Sequence, residues 1–269
     1  MTAANGKPYD PKTGLQLFVL LDGVVRLFIW WSSIALTVAL FTCLKRWPAT
    51  PLIGADLDTA WLWGGKLGQW VILYNLIYVA HLVVLRLPIP TPKEGRYEMG
   101  RGKRLDRQLI CASFLATLTK ARYQAPFPGF LVFHIANLPP MRWLMDPIFG
   151  PRSRSCYTAD PCIIDPHMVS IGRNVIIGWG TTIAGHYQQA DAVFIKPTII
   201  EDDVMIGAHT AMAGVHLRRG AVIGAGSILL PGSEIGENEY WSGNPARRRS
   251  TLPPPAERGT VPEGAVEGL

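Results

Sequence analysis

The chain has 269 residues, with 26 Lys and Arg against 20 Asp and Glu for a net charge of +6, and 48% of its residues are hydrophobic against 17% charged. An ordinary soluble domain carries about 25% charged residues, and this chain, with a mean hydropathy of +0.17 and a pI near 9.3, is unusually apolar. That composition excludes wholesale disorder, and the length admits one or two domains with a real core.

The apolar excess is concentrated near the N-terminus. Residues Leu27 to Leu44 form an 18-residue run without a charge, closed by Lys45 and Arg46, and Leu67 to Leu85 form a 19-residue run between Lys66 and Arg86. At 1.5 Å rise per residue each run approaches the roughly 30 Å hydrocarbon thickness of a bilayer. Trp30, Trp31, Trp61, Trp63, Trp70 and Tyr74 supply candidate interfacial aromatics. We read residues 1–90 as a hairpin of two transmembrane helices; a buried or interfacial hairpin is the competing reading. Asp22 and Arg26, at i and i+4 before the first run, read as a snorkelling interfacial pair.

Basic residues set the orientation. Lys45, Arg46 and Lys66 flank the hairpin loop, whereas Arg86, Lys93, Arg96, Arg101, Lys103, Arg104 and Arg107 follow the second run, so the positive-inside rule puts both termini in the cytoplasm. Residues 91–155 read as a basic helical or irregular connector, with an amphipathic helix over 103–123 and six prolines in 126–151. This segment carries +7, against +3 for residues 1–90 and −2 for each of 156–250 and 251–269. The high pI is therefore a membrane address, drawn to anionic lipid, and implies no nucleic-acid partner. Cys43, Cys111, Cys156 and Cys162 form no CxxC and no paired framework, and read as reduced thiols.

A six-residue period organises the second half. Ile171, Ile177 and Ile183 are spaced by six, as are Ile200, Ile206 and Met212, and Ile223, Leu229, Ile235 and Trp241. Small or β-branched residues recur four places after the aliphatic, at Val175, Thr181, Val204, Thr210, Ser227 and Ser233. A helix needs a period of 3.6 and an isolated strand a period of 2; a period of six predicts a parallel β-helix over 156–250, three repeats to a coil, with the aliphatics stacked inside. The phase slips between Ile183 and Ile200 (17 residues) and between Met212 and Ile223 (11 residues), and such slips mark loops or bulges leaving the coil. Residues 251–269, rich in Pro, Gly and Glu, read as a flexible tail or loose strap.

The segments DPCIIDPHMVSIGRNVIIGWGTTIAGH, VMIGAHTAMAGV, GAVIGAGSILLPG and WSGNPA together resemble the hexapeptide-repeat acyltransferases, most closely the galactoside and maltose O-acetyltransferases. The membrane hairpin with this coil also resembles the terminal β-helix modules of polylysine-synthetase-like proteins. The resemblance implies a mainly β chain: a left-handed parallel β-helix behind a helical region with two transmembrane helices. It implies acyl transfer from acetyl-CoA or another acyl-CoA to a hydroxyl or amine, in a homotrimer with sites between neighbouring coils.

His186, in AGHYQQAD, matches the family's catalytic histidine, and it falls where the first slip ejects a loop. Asp160 matches an acceptor-binding Asn, and Asp165 a family Asp that orients either the base or the acceptor. Ala208 and Ala225 match backbone contacts to CoA. The family's phosphate-facing lysine is replaced in Leu230–Pro231, leaving Arg247, Arg248 and Arg249, or Arg218 and Arg219, to meet the phosphates. His81, His134, His167, His209 and His216 read as structural or surface residues. No metal is expected: a zinc γ-class carbonic anhydrase needs GHxxxxH, which neither GHYQQAD nor GAHTAMAGVH supplies. A non-catalytic trimeric scaffold is the other alternative. The expected protein is an inner-membrane acyltransferase facing the cytoplasm, acting on a membrane-proximal glycan or lipid-linked acceptor.

Overall fold

The computed structural model describes residues 11–48, 56–98, 106–123, 145–153, 162–190 and 192–260. They form two compact units, residues 1–90 with 113–142, and residues 91–112 with 143–269.

The first unit holds α1 (Pro11–Cys43) and α2 (Leu57–Arg86). Asp56 starts α2, its Oδ1 accepting from the Thr59 N–H at 2.9 Å, which satisfies one of the orphan donors of the first turn. Within these helices, Val19–Cys43 and Leu57–Arg86 are each long and apolar enough to cross a membrane, by length and composition. The two helices pack against one another, and Ile29, Phe41, Tyr74, Tyr78 and Leu82 on them are buried. A polar link joins them as well. Ser33 Oγ donates to Ile29 O at 2.7 Å and so accepts from His81 Nδ1–H at 2.9 Å. Arg26 Nε lies 2.9 Å from Asp22 Oδ2, the pair the i, i+4 spacing predicts. Thr117 Oγ1 also donates to Asp22, and Tyr78 Oη donates to Ala121 O at 3.1 Å.

The second unit opens with β1 (Gly95–Glu98) and the first residues of α3 (Arg107–Tyr123). Then come β2 (Arg152–Ser153), β3 (Cys162–Ile163), β4 (Val169–Ile171), β5 (Ile176–Ile177), β6 (Thr182–Ala184), β7 (His186–Gln189), β8 (Ala192–Ile195) and β9 (Thr198–Ile200). The remainder is β10 (Met205–Ile206), β11 (Ala211–Ala213), β12 (His216–Leu217), β13 (Val222–Ile223), β14 (Glu234–Ile235), β15 (Glu239–Gly243) and β16 (Ala246–Thr251). Three parallel sheets dominate: β2-β4-β9-β12-β14, β5-β10-β13-β15 and β3-β6-β11, with β16 added antiparallel to β15. From β4 onward the chain visits the three sheets in rotation, which is a coil with three flat faces.

The predicted aliphatics stack in register inside it. Ile171, Ile200, Leu217 and Ile235 form one column, Ile177, Ile206, Ile223 and Trp241 a second, and Ile163, Ile183 and Met212 a third. All but Ile163 and Trp241 are at most 4% exposed. Buried hydroxyls explain the small residues four places on: Thr181, Thr210 and Ser227 donate back to Gly178 O, Gly207 O and Gly224 O at 2.8, 2.8 and 2.6 Å. Each closes one corner on itself, as an ST turn does.

Several expectations are corrected. Among the described residues, helices of 33, 30 and 17 residues precede strands of two to six, so the architecture is a helical region followed by a parallel-strand coil and is not clearly mainly β. The connector read over 91–155 contributes strands: β1 pairs with β8, and β2 is a rung beside β4 ahead of residue 156. The second phase slip ejects no loop. Leu217 follows Met212 by five places and still enters the core column; the positive-φ residue of that corner, Gly214 at φ 59°, comes two places after Met212 rather than three. The tail read from 251 is held as far as residue 258, where the Arg258 guanidinium donates to Gly220 O, Asn238 Oδ1 and Pro253 O. Cys43, Cys111 and Cys162 are free thiols; Cys156 lies outside the described residues.

Candidate active site

The first phase slip, between Ile183 and Ile200, is an antiparallel hairpin of β7 and β8 with β1 on its outer edge. In register, Gly95, Ile195 and His186 lie side by side, followed by Arg96, Phe194 and Tyr187. The Tyr187 and Phe194 rings stack at 5.0 Å with a 3° interplanar angle. On the buried side, Ile195, Leu109 of α3 and Met168 form a small core joined by Tyr97 and Val193. The hairpin is thus packed against residues from the start of its unit, Tyr97 and Leu109, and against Met168 of the coil. Tyr97 has its phenol pushed above the ordinary range, first by desolvation and then by the Asp106 charge.

His186 is the first residue of β7, immediately after the coil. Its Nδ1 lies 2.5 Å from Asp165 Oδ2, and the Gly185 N–H donates to the same oxygen at 3.0 Å. The Asp165 side chain is 4% exposed and that of His186 is 41% exposed. A backbone N–H can only donate, so Oδ2 is an acceptor and His186 Nδ1 carries the hydrogen between the two groups. Nε2, the other ring nitrogen, is then the basic one. Glycine is required at 185, where a Cβ would lie 2.2 Å from Met168 Cβ. The donor to Asp165 and the close approach to Met168 come from one residue.

Asp165, expected to orient the base or bind the acceptor, is buried against the imidazole. Asp160 and His134 lie outside the described residues. Ala208 and Ala225 stack at one corner of successive coils: a Cβ on Gly178 would lie 2.3 Å from Ala208 N, and one on Gly207 2.3 Å from Ala225 N. That corner is distinct from the one that leads into His186, which follows β6. Arg247, Arg248 and Arg249 lie on β16 at the end of the coil, all exposed. Arg248 Nε pairs with Glu239 Oε1 at 2.9 Å and Arg249 Nε donates to Ser242 Oγ at 3.1 Å. Arg218 reaches Glu234 at 3.7 Å.

Two more histidines have partners on the coil. His209 sits at a corner with φ 55°, its ring edge-on to Trp179 at 5.0 Å, and His216 Nε2 pairs with Glu201 Oε1 at 2.7 Å. Among the described residues no three His, Cys, Asp or Glu side chains are grouped to hold a metal ion. Sequence reasoning missed two residues here. Gly185 carries a signal, since it is the Gly of the GH motif; Lys196, the only lysine between residues 156 and 250, carries none beyond its rarity.

The fold is thus a three-faced parallel coil of six-residue repeats with a His–Asp pair at the root of an ejected hairpin. Residues 197–231 match the family model described as a hexapeptide repeat of succinyl-transferase. A putative acetyltransferase, YvoF, of Bacillus subtilis (strain 168) is 32% identical over 128 residues, covering 44% of this chain and 73% of that protein. The 2,3,4,5-tetrahydropyridine-2,6-dicarboxylate N-acetyltransferase of Staphylococcus aureus (strain JH9) is 36% identical over 77 residues, covering 28% of this chain; the chain spans only 30% of that relative's length. Among solved structures, a maltose O-acetyltransferase from Clostridium difficile 630 superimposes with a TM-score of 0.37 at 17% identity, over 55% of this chain and 90% of that one. The chain belongs to the hexapeptide-repeat acyltransferase family. By that membership it is a CoA-dependent acyltransferase.

Proposed function

We propose that this protein is a membrane-anchored acyltransferase that moves an acyl group, acetyl by default, from acyl-CoA to a hydroxyl or amine of a membrane-proximal acceptor. An envelope glycan or lipid-linked precursor is the acceptor class. The observation that carries the reading is the 2.5 Å contact between His186 and the buried Asp165. Asp165 holds the tautomer and stabilises the imidazolium that forms. His186 Nε2 takes the proton of the acceptor as its oxygen or nitrogen attacks the thioester carbonyl; the C–S bond then breaks and the proton passes to the departing CoA thiolate. The products are the acylated acceptor and free CoA. Asp160 remains a proposed acceptor ligand, and Ala208, Ala225 and Arg247 to Arg249 proposed CoA contacts.

The relatives' names support both acceptor chemistries, one an N-acetyltransferase and one an O-acetyltransferase. The exposed apolar surface of the two long helices, Leu20, Val24, Leu27, Phe28 and Trp31 on α1 and Trp61, Ile72, Leu76 and Val84 on α2, supports membrane anchoring. A left-handed coil, a homotrimer with sites between coils, and an inner-membrane location with the coil in the cytoplasm complete the proposal.

The test is release of free CoA thiol from acetyl-CoA in the presence of glycan and amine acceptors. His186→Ala should lower kcat by about 10²–10⁴, with unchanged circular dichroism. Asp165→Asn should lower it by at least about 10², because the amide holds the imidazole in the wrong tautomer. Turnover by His186→Ala within a fewfold of the wild type would overturn the base assignment. An inert wild type would favour a non-catalytic scaffold.

A further inference from the structure

Lys196 stands directly behind the reacting pair. Its predecessor Ile195 is the register partner of His186, and its own N–H donates to Gly185 O at 2.9 Å. From there its side chain runs along the coil rather than out into solvent. A Cβ placed on Gly214 would lie 3.0, 3.3 and 3.4 Å from Lys196 Cβ, Cγ and Cδ, and one placed on Gly232 would lie 3.7 Å from Lys196 Nζ. The aliphatic stem is therefore laid over Gly214 and the ammonium reaches Gly232 on the next coil. Both glycines have positive φ, 59° and 79°, where other residues are strained, so this corner is held bare.

Lys196 is half-buried, and among the described residues the ammonium has no counter-charge. The corner itself is uncharged: Ala213, Gly214 and Val215 on one coil, and Leu230, Pro231, Gly232 and Ser233 on the next. On the adjoining face, Glu201 is taken by His216 and the Arg219 N–H, and Glu234 by Arg218. A cation whose stem is held against the coil, with no carboxylate partner among the described residues, is poised for an anionic ligand.

We infer that Lys196 binds a phosphoryl group of a substrate of the transfer reaction, in the strip formed by Gly214 and Gly232. The inference rests on the acyl-transfer reading and names the cation for it. Adjacent rungs are about 4.8 Å apart, so the ammonium lies about two rungs, roughly 10 Å, along the coil from the His186 corner. That separation suits a substrate whose phosphates are remote from its reacting atom. The diphosphate of acyl-CoA is one source of this group and a phosphorylated, lipid-linked acceptor is the other.

Lys196→Gln, Lys196→Arg and the wild type are compared in detergent with acetyl-CoA and with acetyl-pantetheine, which keeps the thioester and lacks the diphosphate. The wild type should prefer acetyl-CoA in KM, and Lys196→Gln should reduce that preference at least tenfold with kcat for acetyl-CoA changed less than threefold; Lys196→Arg should restore most of it. A rise in KM for a phosphorylated acceptor alone would assign the same cation to the acceptor. Equal effects on both donors, or none on any substrate, would overturn the inference. Calorimetric titration with inorganic diphosphate requires no turnover and separates the two readings: Lys196→Gln should bind it at least tenfold more weakly, and equal binding by variant and wild type would sink the inference even if the enzyme is active. An enzyme inert toward acetyl-CoA, with diphosphate binding dependent on Lys196, would instead count against the acyl-transfer reading alone.

Discussion

Glu239 shows how single residues finish the coil. Burial alone would raise its pKa, but the Trp241 indole N–H, the Gly236 N–H and the Arg248 guanidinium together hold it below the usual 4.5. The indole and Gly236 donate to Oε2 at 2.9 Å each, while Arg248 pairs with Oε1. One carboxylate so ties the last aromatic rung to β16. Because the folded-state pKa is depressed, this stabilisation is fully present above the unfolded-state value and is lost as pH falls through the folded one. Glu239→Gln should therefore cost about 1 kcal/mol at pH 7. Thermal melts from pH 7 to pH 3 should show the gap between variant and wild type closing below about pH 4.5; a gap independent of pH would refute the charge-based account. Residue roles of this kind were half legible. The six-residue period placed Ile171, Ile177 and Ile183 in the core, yet it passed over Leu217, because one shortened corner at Gly214 shifts the count without shifting the column.

At the scale of elements, the 17-residue gap between Ile183 and Ile200 was readable as an excursion and His186 as its first polar residue. The third strand of that excursion was not readable. β1 lies 97 positions from the strand it pairs, counting Gly95 to Ala192, and no local period announces a partner so distant. The first turns of α3 belong to the same small core, since Leu109 is 6% exposed in a cluster with Ile195 and Met168. Leu109 packs against Ile195, the residue of β8 that pairs with His186. Leu109→Ala should leave a cavity costing about 2–4 kcal/mol, felt first in the hairpin. We expect faster proteolysis within residues 186–195 and a severalfold fall in kcat, with the coil's main melting transition retained. Unchanged proteolysis and kcat would show that the hairpin holds its shape without this packing.

For the whole molecule, charge and hydropathy divide the labour between the two units. The +7 of residues 91–155 follows the second apolar helix, while the coil region 156–250 is slightly acidic at −2. On the proposed membrane-anchored reading, a basic segment beside a membrane helix is retained on the cytoplasmic side, and that reading expects the coil on the face where acyl-CoA is made. The cysteines make this orientation measurable. Cys43 is the last residue of α1 and exposed, near the loop that positive-inside logic puts outside; Cys162 is exposed on the coil. Single-cysteine variants in spheroplasts should react with a membrane-impermeant maleimide at Cys43 and not at Cys162. After lysis Cys162 should react as well. Labelling of Cys162 in intact spheroplasts would put the coil on the opposite face, where no acyl-CoA pool exists, and would overturn the cytoplasmic assignment.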